Sequence, residues 1–175
     1  MAKILHQVYD LECQVILFIN QYFERKYVNA FFRFVTHLGG ARFSIASVLL
    51  TILFTSGSLR LTAISSAVAL TISHIPVALV KKLFPRKRPY LALNQVNVGE
   101  NPLQDHSFPS GHTTAIFSIL TPFILFYPLL AIILLPIGCI VGLSRIYLGL
   151  HYPTDVMAGC LLGCCTGMIS LQFVF

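Results

Sequence analysis

From Thr113 to Ser144 the chain runs for 32 residues without a charged side chain. A run of that length and composition is built to sit in lipid, because about 20 apolar residues already suffice for one helical span. Three further stretches are of the same kind: Phe43 to Leu59, Leu61 to Val80 with only His74 as a titratable group, and Val156 to Phe175. Charged residues make up 10% of the 175 residues, whereas a soluble domain needs about a quarter to keep its surface in water. Disorder, a collagen-like chain and a disulfide scaffold are excluded by the same numbers.

The long run exceeds one span, and Phe126-Tyr127-Pro128 offers an interfacial aromatic pair and a proline at which it can turn. It divides into His112 to Phe126 and Pro128 to Leu150. The first of these is short, which suits an end buried in protein or a thinned bilayer. The expected fold is therefore all-α: a polytopic membrane helix bundle of five to six transmembrane helices in one integral-membrane domain, residues 1–175. Residues 1–40 supply interfacial helices, Leu11 to Phe23 and Tyr27 to Leu38, one of which could add the sixth span. Asp10 and Glu12 interrupt the apolar core that a cleaved leader would need, so none is expected.

The basic excess, a formal net charge of +6, is not gathered on one polar surface and has no groove-reading motif beside it, so no nucleic-acid partner is expected. Five cysteines lack metal-ligand spacing and read as buried thiols. Gly159, Gly163 and Gly167, four apart on one helix face, allow another helix to approach closely. Packing within the monomer is the simpler use of that face; a dimer contact is the other, and the oligomeric state stays open.

The remaining polar residues gather at helix ends. Lys81, Lys82, Arg86, Lys87 and Arg88 crowd the end of the second expected span. The loop after them ends at Pro109-Ser110-Gly111-His112, where Ser110 can cap a helix whose free amides suit an anion. Ser144-Arg145, His151 and Asp155 surround the turn into the last span. Counting helix reversals puts all of these on one side of the membrane. Together they form a set complete for phosphoryl transfer: cations and donors for phosphate oxygens, a histidine to attack phosphorus, a second to protonate the leaving oxygen, and a carboxylate to orient the nucleophile. Lys81, Arg88 and Arg145 supply the positive charge that magnesium supplies elsewhere, so neither a metal nor another cofactor is called for. Residue type alone leaves open which histidine attacks.

At these positions the sequence resembles the type-2 phosphatidic acid phosphatase superfamily, which includes membrane lipid phosphatases such as undecaprenyl pyrophosphate phosphatases. Its three segments appear in order: Lys81, six residues, then Arg88-Pro89; Pro109-Ser110-Gly111-His112; and Ser144-Arg145, five residues, His151, three residues, Asp155. The resemblance covers roughly Gly39 to Gly167. It implies that His151 becomes phosphohistidine with Asp155 as its orienting partner, and that His112 is the acid and then the base. It further implies that Lys81, Arg88, Ser110, Gly111 and Arg145 bind the phosphate. The implied partner is a membrane lipid phosphate in the bilayer, with undecaprenyl pyrophosphate favoured and phosphatidylglycerol phosphate or phosphatidic acid as alternatives. A lipid-binding or lipid-transporting protein is the alternative of another class, although transport sites favour the midplane and these polar groups sit at one end.

Lys82, Arg86 and Lys87 match no motif position and read as surface attraction to anionic head groups. His74 reads as a structural hydrogen-bonding group, and Asp105 and His106 as residues that shape the pocket without catalysing. The positive-inside rule would put the basic side in the cytoplasm, while the resemblance implies an extracytoplasmic site. The resemblance is preferred, because many of these charges would bind substrate.

Overall fold

The structure, a computed structural model, describes residues 2–100 and 102–174. Among the described residues eight α-helices follow one another: α1 (Ala2–Asn20), α2 (Lys26–Thr36), α3 (Ala41–Phe54), α4 (Gly57–Leu83), the single turn α5 (Pro89–Ala92), α6 (Gly111–Phe126), α7 (Ala131–Tyr147) and α8 (Pro153–Val174). Short 3-10 turns at His37–Gly39 and Pro128–Leu130 lead into α3 and α7.

The bundle has fewer spans than the sequence suggests. Among the described residues three helical segments are long and apolar enough to cross a membrane: Gly57–Leu83, Pro128–Tyr147 and Pro153–Val174. A fourth is reached only if Lys26–Gly39 and Ala41–Phe54, bent by 56° at their junction, act together. Five to six is thus corrected to three or four, and two misread segments explain the difference. Phe43 to Leu59 is broken at Thr55–Ser56, which leaves α3 with 14 residues, about 21 Å of helix against a hydrocarbon core of about 30 Å. His112 to Phe126 forms α6, 16 residues long and so about 24 Å. Every residue from Thr113 to Pro122 is buried, so α6 is apolar because protein surrounds it on all sides.

α6 is the axis of the fold, packed by α4, α8, α7 and α3. The glycines of α8 make that packing possible. A Cβ on Gly163 would stand 2.6 Å from the Thr114 carbonyl oxygen and 2.7 Å from the Phe117 Cβ, and one on Gly167 would stand 2.6 Å from the Thr121 Cβ. The small-residue face is therefore spent within the monomer, as its simpler reading had it. Gly163→Ala is expected to cost about 1–3 kcal/mol by forcing α8 away from α6, measured as a lowered unfolding midpoint in detergent. Outward, Leu53, Phe54, Leu129, Ile132 and Phe173 remain 72%, 81%, 83%, 75% and 77% exposed. Side chains this apolar, left this open, mark an integral membrane protein. The five cysteines are free thiols but not the buried ones expected: Cys13, Cys160 and Cys164 are half-buried, and Cys139 and Cys165 are exposed.

The N-terminal helices join the bundle through polar contacts. Asn20 at the end of α1 donates to the carbonyls of Asn97 (2.9 Å) and Tyr147 (2.8 Å) and accepts from the Asn97 N–H at 2.7 Å. Beside it, Gly149 turns the chain between α7 and α8 with φ +68, a conformation in which a side chain is strained. Its Cβ would also lie 2.5 Å from Val96 and 2.8 Å from the Asn97 carbonyl oxygen. This turn delivers His151 to the site.

Candidate active site

Separated parts of the chain converge on one cavity of about 250 Å³, lined among others by Lys81 and His74 of α4, Arg88 before α5, Asp105 of the loop, Gly111 and His112 at the start of α6, and His151. The Lys81 ammonium meets Asp105 Oδ2 at 2.5 Å and also donates to the His106 carbonyl at 2.8 Å. Arg88, only 1% exposed, donates from Nη2 to Asp105 Oδ1 at 2.6 Å, from Nε to the Asp105 carbonyl at 2.8 Å and from Nη1 to the Leu150 carbonyl at 2.8 Å. One carboxylate thus bridges two cations. Partial burial would raise the Asp105 pKa, but the bonds from Lys81 and Arg88 prevail and hold it down at about 2.

Asp105 is therefore a built-in anion resting where an incoming phosphate would meet the same two cations. Asp105→Asn removes that competitor, and vanadate, an analogue of pentacoordinate phosphorus, is expected to inhibit the variant about tenfold more tightly, the worth of one charge-assisted hydrogen bond. A vanadate titration of both proteins measures this.

His151 is buried, with Nε2 3.2 Å from Arg88 Nη1. A guanidinium can only donate, so Nε2 must present its lone pair, and the ring proton sits on Nδ1. That nitrogen faces Asp155 Oδ2 at 3.7 Å. It has no hydrogen-bond partner among the described residues, and a shift of under 1 Å would bring it within hydrogen-bonding range. Burial, above all, depresses the His151 pKa to about 4; Asp155 opposes the shift while Arg145 and Arg88 add to it. The imidazole is neutral at ordinary pH, as a nitrogen nucleophile must be.

Asp155, in the first turn of α8, is fully buried. Its Oδ2 accepts from the Tyr152 N–H at 2.8 Å and from the Ser107 hydroxyl, and its Oδ1 accepts from Arg86 Nη1 at 2.8 Å. Ser110 caps α6, and its N–H donates to the Asp155 carbonyl at 3.0 Å, which fixes the start of α6 to the start of α8. Arg145, 2% exposed, donates from Nη1 to the Thr36 hydroxyl at 2.7 Å. Its Nε and Nη2 have no partner among the described residues. Ser110, Arg145 and Asp155 stand behind the cavity wall, whereas Lys81, Arg88, Gly111, His112 and His151 line it.

The structure adds to the sequence reading here. His74 lines the cavity, and its Nδ1 lies 2.7 Å from the Leu70 carbonyl, the structural hydrogen bond expected of it. Arg86 is separated from Lys82 and Lys87 and corrects their common assignment to head-group attraction. Its Nη2 binds Glu12 Oε2 at 2.5 Å, its Nη1 reaches Thr154 Oγ1 at 2.9 Å as well as Asp155, and its guanidinium lies 3.8 Å from the Tyr152 ring centroid. Glu12 also escaped the sequence reading. A carboxylate on an N-terminal helix gives no sign of a partner 74 residues away; only the spacing of two residues between Arg86 and Arg88 hinted that both could turn inward. No group of three or more His, Cys, Asp or Glu side chains is arranged to hold a metal among the described residues.

The chain thus carries a cationic cavity lined by three histidines at one end of a membrane helix bundle. Residues 62–175 match the PAP2 superfamily, and the chain belongs to it. It is 37% identical over 116 residues to the bacitracin transport permease protein BcrC of Bacillus licheniformis, covering 66% of this chain and 55% of that one. It is 34% identical over 116 residues to the putative undecaprenyl-diphosphatase YbjG of Escherichia coli, covering 64% and 56%. The chain thus spans about half the length of these relatives. The crystal structure of Aquifex aeolicus LpxE superimposes with a TM-score of 0.78 at 27% identity, covering 91% of this chain and 93% of that one.

Proposed function

We propose that this protein is a metal-independent membrane lipid phosphatase acting on a lipid diphosphate, with undecaprenyl diphosphate the favoured substrate. The observation that carries the reading is the meeting of His151, His112, Lys81, Arg88 and Gly111 around one cavity. The His151 Nε2 lone pair attacks the terminal phosphorus, the bond from phosphorus to the bridging oxygen breaks, and His112 gives that oxygen its proton. Burial, with Arg145 beside it, holds the His112 pKa down at about 2 before substrate binds, and the negative charge of the bound diphosphate raises it so that the ring takes up the proton it delivers. The lipid leaves as its monophosphate. His112, now the base, takes a proton from water as the water attacks the phosphohistidine; the phosphorus–nitrogen bond breaks and inorganic phosphate departs. Asp155 orients His151 and offsets the positive charge that develops on its ring. Lys81, Arg88 and the Gly111 amide hold the phosphate oxygens at the cavity wall, and Arg145 and Ser110, directly behind that wall, complete the set of positive charge and donors, so that charge is stabilised without a bound ion. The likeness to an undecaprenyl-diphosphatase supports the substrate class. On this reading the site faces the extracytoplasmic side, and a label on a cysteine introduced within Asn94 to Glu100, in a background without other cysteines, tests it: reaction only after the cytoplasmic side is opened would overturn the orientation.

The test is phosphate release by the purified protein in detergent with chelator present, from undecaprenyl diphosphate, phosphatidylglycerol phosphate and phosphatidic acid. Release fastest from the diphosphate, unaffected by chelator and blocked by vanadate, is expected. A requirement for magnesium would overturn the mechanism, and release from none of the three would favour lipid binding or transport.

A further inference from the structure

Asp155 is a buried carboxylate whose value to His151 depends on which way it is turned. Its Oδ2 faces the imidazole, while its Oδ1, directed elsewhere, is held by Arg86 at 2.8 Å. Arg86 is in turn locked on three sides: Glu12 at 2.5 Å, Thr154 Oγ1 at 2.9 Å and the Tyr152 ring at 3.8 Å. Glu12 is 6% exposed and also accepts from the Thr154 N–H at 3.0 Å and from the Thr154 hydroxyl. Both terminal nitrogens of the guanidinium are thus spent on protein groups, and Arg86 does not line the cavity.

We infer that Arg86 and Glu12 are positioning residues for the phosphoryl-transfer step, and that helix α1 is through them a working part of the active site. The inference rests on the proposed reading in which His151 attacks phosphorus. Arg86 fixes the rotation of the Asp155 carboxylate, so that Oδ2 is presented to His151 Nδ1. Glu12 has a second task. Arg86 alone would neutralise Asp155; with Glu12 sharing the guanidinium, the three groups carry one net negative charge, and Asp155 retains charge to stabilise a positive imidazole. A lysine cannot replace the fork, because one ammonium cannot span Glu12, Thr154 and Asp155 in the same plane.

Kinetics on undecaprenyl diphosphate with the full chain in detergent decide the matter. Arg86→Gln is expected to lower kcat about 50-fold with KM within about threefold of wild type, since the group acts on the reacting histidine and not on substrate binding. Arg86→Lys should recover only part of this loss, and Glu12→Gln should cost about fivefold in kcat. Because Arg86→Gln leaves two adjacent carboxylates that could unfold the protein, the double variant Glu12→Gln/Arg86→Gln, with one charge of each sign removed, is measured beside it. It should fold and lose no more than Arg86→Gln alone, the non-additivity of residues acting as a unit. Arg60→Gln, at the opposite end of α4, serves as the unaffected control. A folded double variant with wild-type kcat, or a loss confined to KM, would overturn the inference and leave Arg86 a structural tie between α1 and α8. A wild type that releases no phosphate, or a His151→Ala variant that still does, would instead overturn the proposed function.

Discussion

His151→Ala is expected to lower phosphate release by more than about 10³-fold while leaving the helix bundle intact, because the variant loses the atom proposed to form the bond to phosphorus and residues acting as one unit are not replaced by their neighbours. The ring packs at the turn between α7 and α8 and is held through Arg88, so its loss leaves the α6 axis untouched. Phosphate release and circular dichroism on the same preparation separate chemistry from folding. The pH profile of the wild type gives a second reading. Burial holds the His151 pKa at about 4, and attack needs the neutral ring. The sign follows: the nucleophile is available above about pH 4 and is lost as protons are added below it. An acid limb near the ordinary histidine value of about 6.5 would mean that a different group attacks or that the ring is less enclosed than the structure shows.

Arg145→Leu should separate function from stability. The guanidinium is almost wholly buried, with Thr36 as its one hydrogen-bond partner among the described residues and with Nε and Nη2 unsatisfied. Burying a charge on such terms is costly. An apolar side chain removes that cost, and although leucine is smaller than arginine and gives back part of the gain as lost packing, the ligand-free variant should be more stable than the wild type, by about 1 kcal/mol. Activity should move the other way and fall by about 10²–10³-fold as a donor to the transferring phosphoryl group is lost. Vanadate should raise the unfolding midpoint of the wild type more than that of the variant, which keeps Lys81 and Arg88 but lacks the third cation. Thermal unfolding in detergent, with and without vanadate, reads both effects; a variant that is destabilised would show that Arg145 holds the fold together through Thr36 instead of waiting for an anion.

What was legible along the chain divides by the distance over which each interaction acts. Lys81 and Arg88 stand seven apart, His151 and Asp155 four apart, and Ser110 caps the helix that begins at the next residue. Such short separations are read from order and spacing, because a single turn or helix end places both groups. Span counting failed for the converse reason. An apolar segment reports that water is excluded but not by what, so α6, buried in protein, and α3, too short to cross, both passed for lipid-facing spans. Arg86 shows the same limit at the level of one side chain. Its neighbours Lys82 and Lys87 share its charge and its stretch of chain, yet Arg86 alone of the three meets Asp155, 69 residues away, and Glu12, 74 residues away.

The residue set of the site is thus a property of primary structure: two histidines, a carboxylate and the motif cations, in the types and local spacing that the proposed phosphoryl transfer calls for. The packing of α8 glycines onto α6, the bridge of Asp105 across Lys81 and Arg88, and the coupling of α1 to Asp155 through Glu12 and Arg86 belong to the folded chain alone. They depend on Å-scale contacts between segments tens of residues apart, and hydrogen bonds and close packing act only at contact range, which no one-dimensional pattern encodes.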